Sequence, residues 1–443
     1  MEPHVAPPPP PPPPPSKRLG ALMSFAMVVG TIIGSGIYLL PATTAQYGPN
    51  LVIAFLVTGF GTLMLATAMG KLAAKIPGGP YSYVAAAYGD TAAFLTMWSA
   101  LLSQLTGVAA VAIAVGGALG HVLPAVENGI GLFAVAAGSI LVLTIIQLTG
   151  ARSAGRVQVM AMLIKIIPLL LVMVLVLGRF AGGTPTEALD PVPITLGGIA
   201  AASALMLFAF TGFEAGPITA NVTDKPEDAV PNATIRGTAI TAVIYLLATV
   251  SVLWLLPSAI AAKSSAPFAD AIAPALGPLA GALVAVIAAI SAFGTGNALI
   301  LISVEVARAI ANAGDLPPAF AKTNANGVAT VSLLTAATIG ILLVAASMSD
   351  SFVEAFAFIS LVSAVGALVL YIVCAAAAWT LKAVAPLFAG IAILYSLAMF
   401  YGSGLEPVLW GLALMLTGLP VRWFSRKRWP NRVAVPAPAA PQE

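Results

Sequence analysis

The residues of this chain that can do chemistry are small, polar or charged side chains set inside long apolar runs. The first such run contains Gly30-Thr31-Ile32-Ile33-Gly34-Ser35-Gly36-Ile37-Tyr38-Leu39-Leu40-Pro41, with three glycines and a serine near its middle. A glycine inside a helix costs about 1 kcal/mol relative to alanine. One reading is close helix packing, because small residues let neighbouring backbones approach. The other is a broken helix. Its second half would begin near Ser35 and aim free N–H groups, and the partial positive charge of a helix start, at a carboxylate. The tight Gly34-Ser35-Gly36 cluster favours the break.

The sixth run holds a counterpart, Phe208-Ala209-Phe210-Thr211-Gly212-Phe213-Glu214-Ala215-Gly216-Pro217. Unwinding there frees backbone carbonyls for an ammonium group. Interrupted segments at matching places in two halves of a chain point to a binding site at the middle of the membrane.

Charge inside a bilayer is costly, so ionisable groups there are functional candidates. Glu214 is the carboxylate nearest a run's centre. It either props the helix break or serves proton-linked gating and attraction of a cationic substrate. Lys165 lies nine residues beyond Arg156 in the fifth run, about 13 Å deeper at the rise of an α-helix. It either snorkels to an interface or acts at mid-span.

Other groupings are weaker. Glu305 and Arg308 read as an ion pair or a gate. Asp224, Lys225, Glu227 and Asp228 read as a solvated loop. Ser103, Gln104, Ser360 and Ser363 either face a pocket or bond helix to helix. Trp410, Trp423 and Trp429 fit an interfacial aromatic belt.

Several classes are excluded. The two histidines, His4 and His121, stand far apart, and the lone Cys374 sits in an apolar run. No metal or other cofactor site is expected. There is no phosphate-binding loop of the G-x-x-x-x-G-K type, no clustered catalytic set, no polar pore ring and no basic face for nucleic acid.

These residues must be held by membrane helices. The chain has 443 residues, 60% hydrophobic and 8% charged, with mean hydropathy +1.01. A soluble domain carries about 25% charged residues, so the solvent for most of this surface is lipid. Twelve apolar runs, at 19–44, 51–72, 92–119, 130–148, 157–177, 196–220, 238–256, 279–304, 331–347, 352–377, 385–401 and 408–424, approach the ~20 residues a spanning helix needs. They are too long and too uniformly apolar for barrel strands. With both termini cytoplasmic, 16 of the 19 lysines and arginines fall in cytoplasmic segments, as the positive-inside rule requires. Arg179 and Lys263 fall outside and Lys165 within a helix. The first run is longer than the ~7–15 apolar residues of a cleaved signal peptide. The proline tract at 7–15 and the Ala/Pro-rich end at 435–443 read as disordered tails.

Four stretches resemble the amino acid–polyamine–organocation superfamily. They are Gly30–Pro41, Pro77-Gly78-Gly79-Pro80-Tyr81-Ser82-Tyr83, Phe210-Thr211-Gly212-Phe213-Glu214 and Gly314-Asp315-Leu316-Pro317-Pro318-Ala319-Phe320-Ala321. The pattern is most similar to the arginine/agmatine antiporters. The resemblance implies an all-α membrane protein with twelve transmembrane helices: a five-plus-five inverted repeat (the leucine-transporter fold) plus helices 11 and 12. The expected divisions are a tail at 1–18, repeats at 19–178 and 191–381, the extra helices at 382–424 and a tail at 425–443.

The resemblance further implies that Thr31, Ile32, Gly34, Ser35 and Gly36 bind substrate, with Ser35 and Gly36 on the carboxylate. Carbonyls near Ala209, Phe210 and Gly212 would take the amino group, and Phe208 would be an aromatic gate. Lys165 is similar to a helix 5 lysine of proton-coupled members, where the ammonium stands in place of sodium. Those antiporters carry tryptophan where Phe208 stands and another in helix 8, whereas residues 292–303 contain none.

The expected activity is sodium-independent exchange of amino acids or their amine products across a bacterial inner membrane. A proton-coupled symporter is the alternative, and a transport-dead sensor the distant one. The expected partners are a small amino acid or amine, the lipid bilayer and, by analogy, a second copy of the chain.

Overall fold

The computed structural model describes residues 20–76, 79–126, 129–148, 154–183, 185–218, 225–347 and 351–429. Pro77, Gly78, Arg152, Asp224 and both expected tails beyond these limits lie outside the described residues. Within them the chain is helical, with an isolated bridge between Thr323 and Ala329 as its β contact.

Among the described residues, ten helices are long and apolar enough to cross a membrane, which makes this a multi-pass membrane protein. The expected runs at 331–347 and 385–401 are also apolar helices, each of 17 residues.

Two of the runs are broken. The first divides into α1 (Ala21–Ile32) and α2 (Ser35–Thr44). α3 (Asn50–Lys75) follows, then α4 (Gly79–Gly120), which bends at Gly89 with φ 82° and so sets residues 79–88 apart from the long apolar part. α5 (Gly129–Leu148) and α6 (Ala154–Ala181) lead to the second break, between α7 (Leu196–Phe210) and α8 (Ala215–Ile218).

α9 (Pro226–Leu255) begins at Pro226 rather than near residue 238. Its first turn carries Glu227 and Asp228, where the helix dipole favours acids. These two acids are a helix start, not the solvated loop that their charge density implied. Two short helices were not expected, α10 (Ser258–Ala261) and α11 (Pro267–Leu276), because neither is long enough to read as a span. α12 (Pro278–Asn312), α13 (Thr330–Ala346), α14 (Phe352–Thr380), α15 (Pro386–Gly402), α16 (Leu405–Leu416) and α17 (Gly418–Arg428) complete the chain. α17 runs past Phe424, so residues 425–428 belong to a helix rather than to a tail.

The elements sort into two packed groups. α1, α2, α3, α7, α8 and α9 pack mainly on one another, and α4, α5, α12, α13 and α14 form the second group. α2 bridges them through α4 and α12, while α15 lies against α3, α7 and α14. The outer surface is aliphatic, with Leu56, Leu141, Leu163, Ile167 and Leu394 exposed, as lipid contact requires.

One end of the bundle is tied by charge. Asp315, after α12, is fully buried. It accepts from Arg422 Nε at 3.0 Å, Arg426 Nε at 2.6 Å and Tyr81 Oη at 3.3 Å. The Arg422 guanidinium also lies over the Phe94 ring, 5.1 Å from its centroid. Beside this cluster, Lys75 Nζ donates to the carbonyls of Leu381 and Lys382 at 2.7 and 3.3 Å. The loop after α12, the start of α4 and the last helix are thereby joined.

Candidate functional site

The first break follows from its backbone. Ile33 leaves the helix with ψ 90°, and Gly34, at φ −123° and ψ −148°, precedes the first turn of α2. The groups released at the break find defined partners. Lys165 Nζ donates to Gly30 O at 3.3 Å, Tyr245 Oη to Ile32 O at 2.6 Å and Ser291 Oγ to Gly34 O at 3.3 Å. Buried carbonyls need partners, and here three different helices supply them.

The N–H groups opening α2 have no intrahelical acceptor, as at any helix start. The Ser35 hydroxyl beside them is buried and has no hydrogen-bond partner. A buried hydroxyl left so calls for a partner from outside the fold, such as an ordered water or a ligand.

The second break is built around Gly212, whose φ of +114° is a conformation that side-chain-bearing residues rarely adopt. A Cβ there would stand 2.9 Å from the Thr31 carbonyl carbon and 3.0 Å from Ile32 N. A Cβ on Gly36 would stand 2.6 Å from Ala209 Cα. The two breaks therefore touch backbone to backbone, and glycine is what permits it. Of the last carbonyls of α7, Leu207 and Phe208 accept from Thr211 N. Those of Ala209 and Phe210 have no intrahelical partner.

Between the breaks lies a small cavity. Thr31, Ile32, Gly34, Ser35, Gly36, Phe208, Ala209, Gly212 and Glu214 all line it, joined by Val111, Thr211, Thr295, Leu299 and Ile302. Phe210 does not line it. Its ring packs on Tyr245, 5.2 Å between centroids, so only its backbone is available. Ser35 also lines a second small cavity, bounded by Tyr38 and by Phe268 of α11. The rings of those two residues meet edge-on at 5.3 Å.

Glu214 is buried with its Oε2 accepting from Gly212 N at 2.9 Å and Tyr371 Oη at 3.2 Å. Its carboxylate thus braces the second break from inside while lining the cavity. Lys165 is also fully buried and lies outside that lining. Besides Gly30 O, its ammonium faces Gly294 of α12, where an added Cβ would be 3.5 Å away. Tyr38 Oη donates to the Lys165 carbonyl at 2.6 Å. Lys165 therefore stands at the junction of α1, α6 and α12, and it does not snorkel.

Ser103 and Ser363 bond to each other's carbonyls at 2.7 Å, stapling α4 to α14. Theirs is the helix-to-helix reading. Gln104 and Ser360 are buried and do not line the cavity. Glu305 and Arg308 form an ion pair at 3.6 Å with both side chains well exposed. No group of three or more metal-ligating side chains occurs among the described residues.

Tyr245, Ser291, Tyr371 and Thr295 escaped the sequence reading. Each is a polar residue in an apolar helix; Tyr245, Ser291 and Tyr371 meet a backbone atom or an acid far away in the chain, and Thr295 bonds the Ser291 carbonyl on its own helix.

A multi-pass bundle with two broken helices meeting at a buried cavity is the architecture of a membrane transporter, not of an enzyme. The family model for amino acid permease matches residues 19–421, and the chain belongs to that family, within the amino acid–polyamine–organocation superfamily. It is similar to a cadaverine/lysine antiporter of Escherichia coli (strain K12), 27% identical over 73% of each chain. A putative arginine/ornithine antiporter of Bacillus subtilis (strain 168) is 28% identical over 72% of this chain and 75% of its own. A putrescine transporter of Haemophilus influenzae is 26% identical over 92% and 97%.

Proposed function

We propose that the protein is a secondary transporter that exchanges amino acids or their amine products, without sodium, across a bacterial inner membrane. The observation that carries this reading is the unpartnered Ser35 hydroxyl at the start of α2, facing a cavity whose other wall is the broken α7–α8 segment. A substrate carboxylate fits the α2 N-terminus, and an α-ammonium fits the carbonyls of Ala209 and Phe210. The family match and the antiporters among the relatives support exchange.

Lys165 supports the absence of sodium. Its ammonium sits among α1, α6 and α12 and supplies positive charge between the two packed groups. Alternating access would rock the group containing α1, α2, α3, α7, α8 and α9 against the other. A twelve-helix count with a five-plus-five repeat is part of this reading. So is an orientation with the basic end, which holds Lys75, Arg422 and Arg426, in the cytoplasm. A second reading, proton-coupled symport, draws on the same buried Lys165.

The test is uptake of labelled amino acids into liposomes reconstituted with pure protein, with and without internal amino acid and with and without an inward proton gradient. Uptake that requires internal substrate establishes exchange. Accumulation driven by the proton gradient alone establishes symport and overturns exchange. A Lys165→Ala variant with unchanged uptake and pH dependence removes the lysine from either mechanism.

A further inference from the structure

The cavity between the breaks has two unlike ends. One is polar backbone: the amides opening α2 with the Ser35 hydroxyl, against the carbonyls ending α7. Together they match a carboxylate and an ammonium on one carbon. The rest of the wall, where a substrate's side chain must lie, is Val111, Phe208, Leu299 and Ile302 with Thr295. Thr295 turns its hydroxyl along its own helix, donating to Ser291 O at 3.1 Å. The Phe208 ring is held edge-on by Phe356 at 5.8 Å. Gly107 stands behind this wall, where a Cβ would be 3.3 Å from Leu299 Cδ1.

A second ammonium on the substrate would need an anion here, because an uncompensated charge in a dry site is strongly disfavoured. Glu214 is the acid of the lining, and its Oε2 already holds Gly212 N and Tyr371 Oη in the break. A substrate ammonium would have to share this carboxylate with the two donors that brace the second break. A diamine has a further mismatch. It carries no carboxylate, so the α2 amides and Ser35 would stay unmatched on binding.

We infer that the substrate of this site is a neutral α-amino acid with a small or aliphatic side chain, and that diamines and dibasic amino acids are rejected. This distinguishes the chain from its relatives named for cadaverine, lysine, arginine, ornithine and putrescine. It rests on the transport reading above for the identity of the cavity, but the selectivity follows from the lining alone.

The experiment takes the full-length protein in liposomes loaded with L-alanine, L-leucine, L-lysine, L-ornithine or putrescine. Counterflow of each labelled compound is measured, and so is its binding to the purified protein. Alanine or leucine should exchange at least about tenfold faster than lysine, ornithine or putrescine, since an uncompensated charge costs more than the 1.4 kcal/mol equivalent to tenfold. Equal or faster exchange of any dibasic compound overturns the inference. If nothing exchanges, the transport reading fails and binding decides. Binding of the neutral amino acids alone sustains the selectivity, whereas binding of the dibasic compounds, or of none, overturns it. A Leu299→Asp variant, which places an acid on the apolar wall, should gain lysine or putrescine counterflow. A fold-intact variant that loses alanine exchange and gains neither would also count against the assigned wall.

Discussion

Two regions of this molecule bury charge in opposite ways. At the rim, Asp315 is closed in by Arg422, Arg426 and Tyr81, so its charge is matched within hydrogen-bond distance. Beside the helix breaks, Lys165 and Glu214 are equally buried, but their hydrogen-bond partners among the described residues are neutral: a carbonyl for the lysine, an amide and a phenol for the acid. Matched charge ties elements together and has no reason to change. Charge held by neutral dipoles is poised, because the protein is not committed to its ionised form by a counter-ion. The rim cluster therefore ties elements of the second packed group, and on the function proposed above Lys165 and Glu214 are the charges that work in transport.

The largest break in this comparison is Asp315→Ala. It leaves the buried Arg422 and the half-buried Arg426 without their acid, and removing one partner of a buried pair costs about 3–5 kcal/mol. Thermal unfolding of the detergent-solubilised variant should show that loss, and the fraction that remains folded should keep normal substrate preference. A stable Asp315→Ala protein with altered selectivity would make the rim part of the site instead.

Lys165→Met is the converse. It removes an ammonium that no described acid neutralises and keeps most of the bulk, so folding stability should change little or rise, as when buried charges are replaced by apolar groups of similar volume. Flux should fall by about tenfold or more, equivalent to at least 1.4 kcal/mol. Counterflow and thermal unfolding on the same preparation check both halves. Stability lost in step with flux would make Lys165 a prop rather than a working group.

The two regions were unequally legible in the sequence. Lys165 and Glu214 stood out because charge is rare inside apolar runs, and the breaks stood out because Gly34-Ser35-Gly36 and Gly212 interrupt them. The rim cluster did not. Asp315 lay in a loop motif, and Arg422 and Arg426, more than a hundred residues on, counted only as topology markers. Nothing local in the chain says which distant acid an arginine meets. The same reason hid Tyr245 and Ser291, whose acceptors are main-chain carbonyls with no signature of their own. α11 was missed because a ten-residue helix that covers a cavity has the length of neither a span nor a turn.

Smaller changes sharpen the contrast within the site. Gly212→Ala places a Cβ against Thr31 and Ile32 at a φ of +114°, a strain of about 1–3 kcal/mol. Both stability and transport should fall, because the two breaks can no longer touch. Ser35→Ala should separate these quantities. Its hydroxyl has no partner within the fold, so stability should stay within about 0.5 kcal/mol. Substrate affinity should drop by the worth of a hydrogen bond to a charged group, about 1.5–3 kcal/mol. Titration of alanine binding checks the second part. Unchanged affinity would mean that the carboxylate docks elsewhere.

Arg308→Ala carries the smallest expected effect and tests whether charge at the end of α12 matters beyond Asp315. Arg308 pairs with Glu305 one turn away, at 3.6 Å, with side chains 38% and 50% exposed. Such pairs contribute about 0–1 kcal/mol, because water already screens both partners. Thermal unfolding should barely move, and counterflow should be that of the unaltered protein. The pair lies near the end of α12, a few residues before Asp315 in the chain, so burial, not position, would then account for the difference between them. A variant with intact stability and sharply reduced flux would instead assign Glu305 and Arg308 to a gate, and the division between anchoring and working charges would have to be redrawn along α12.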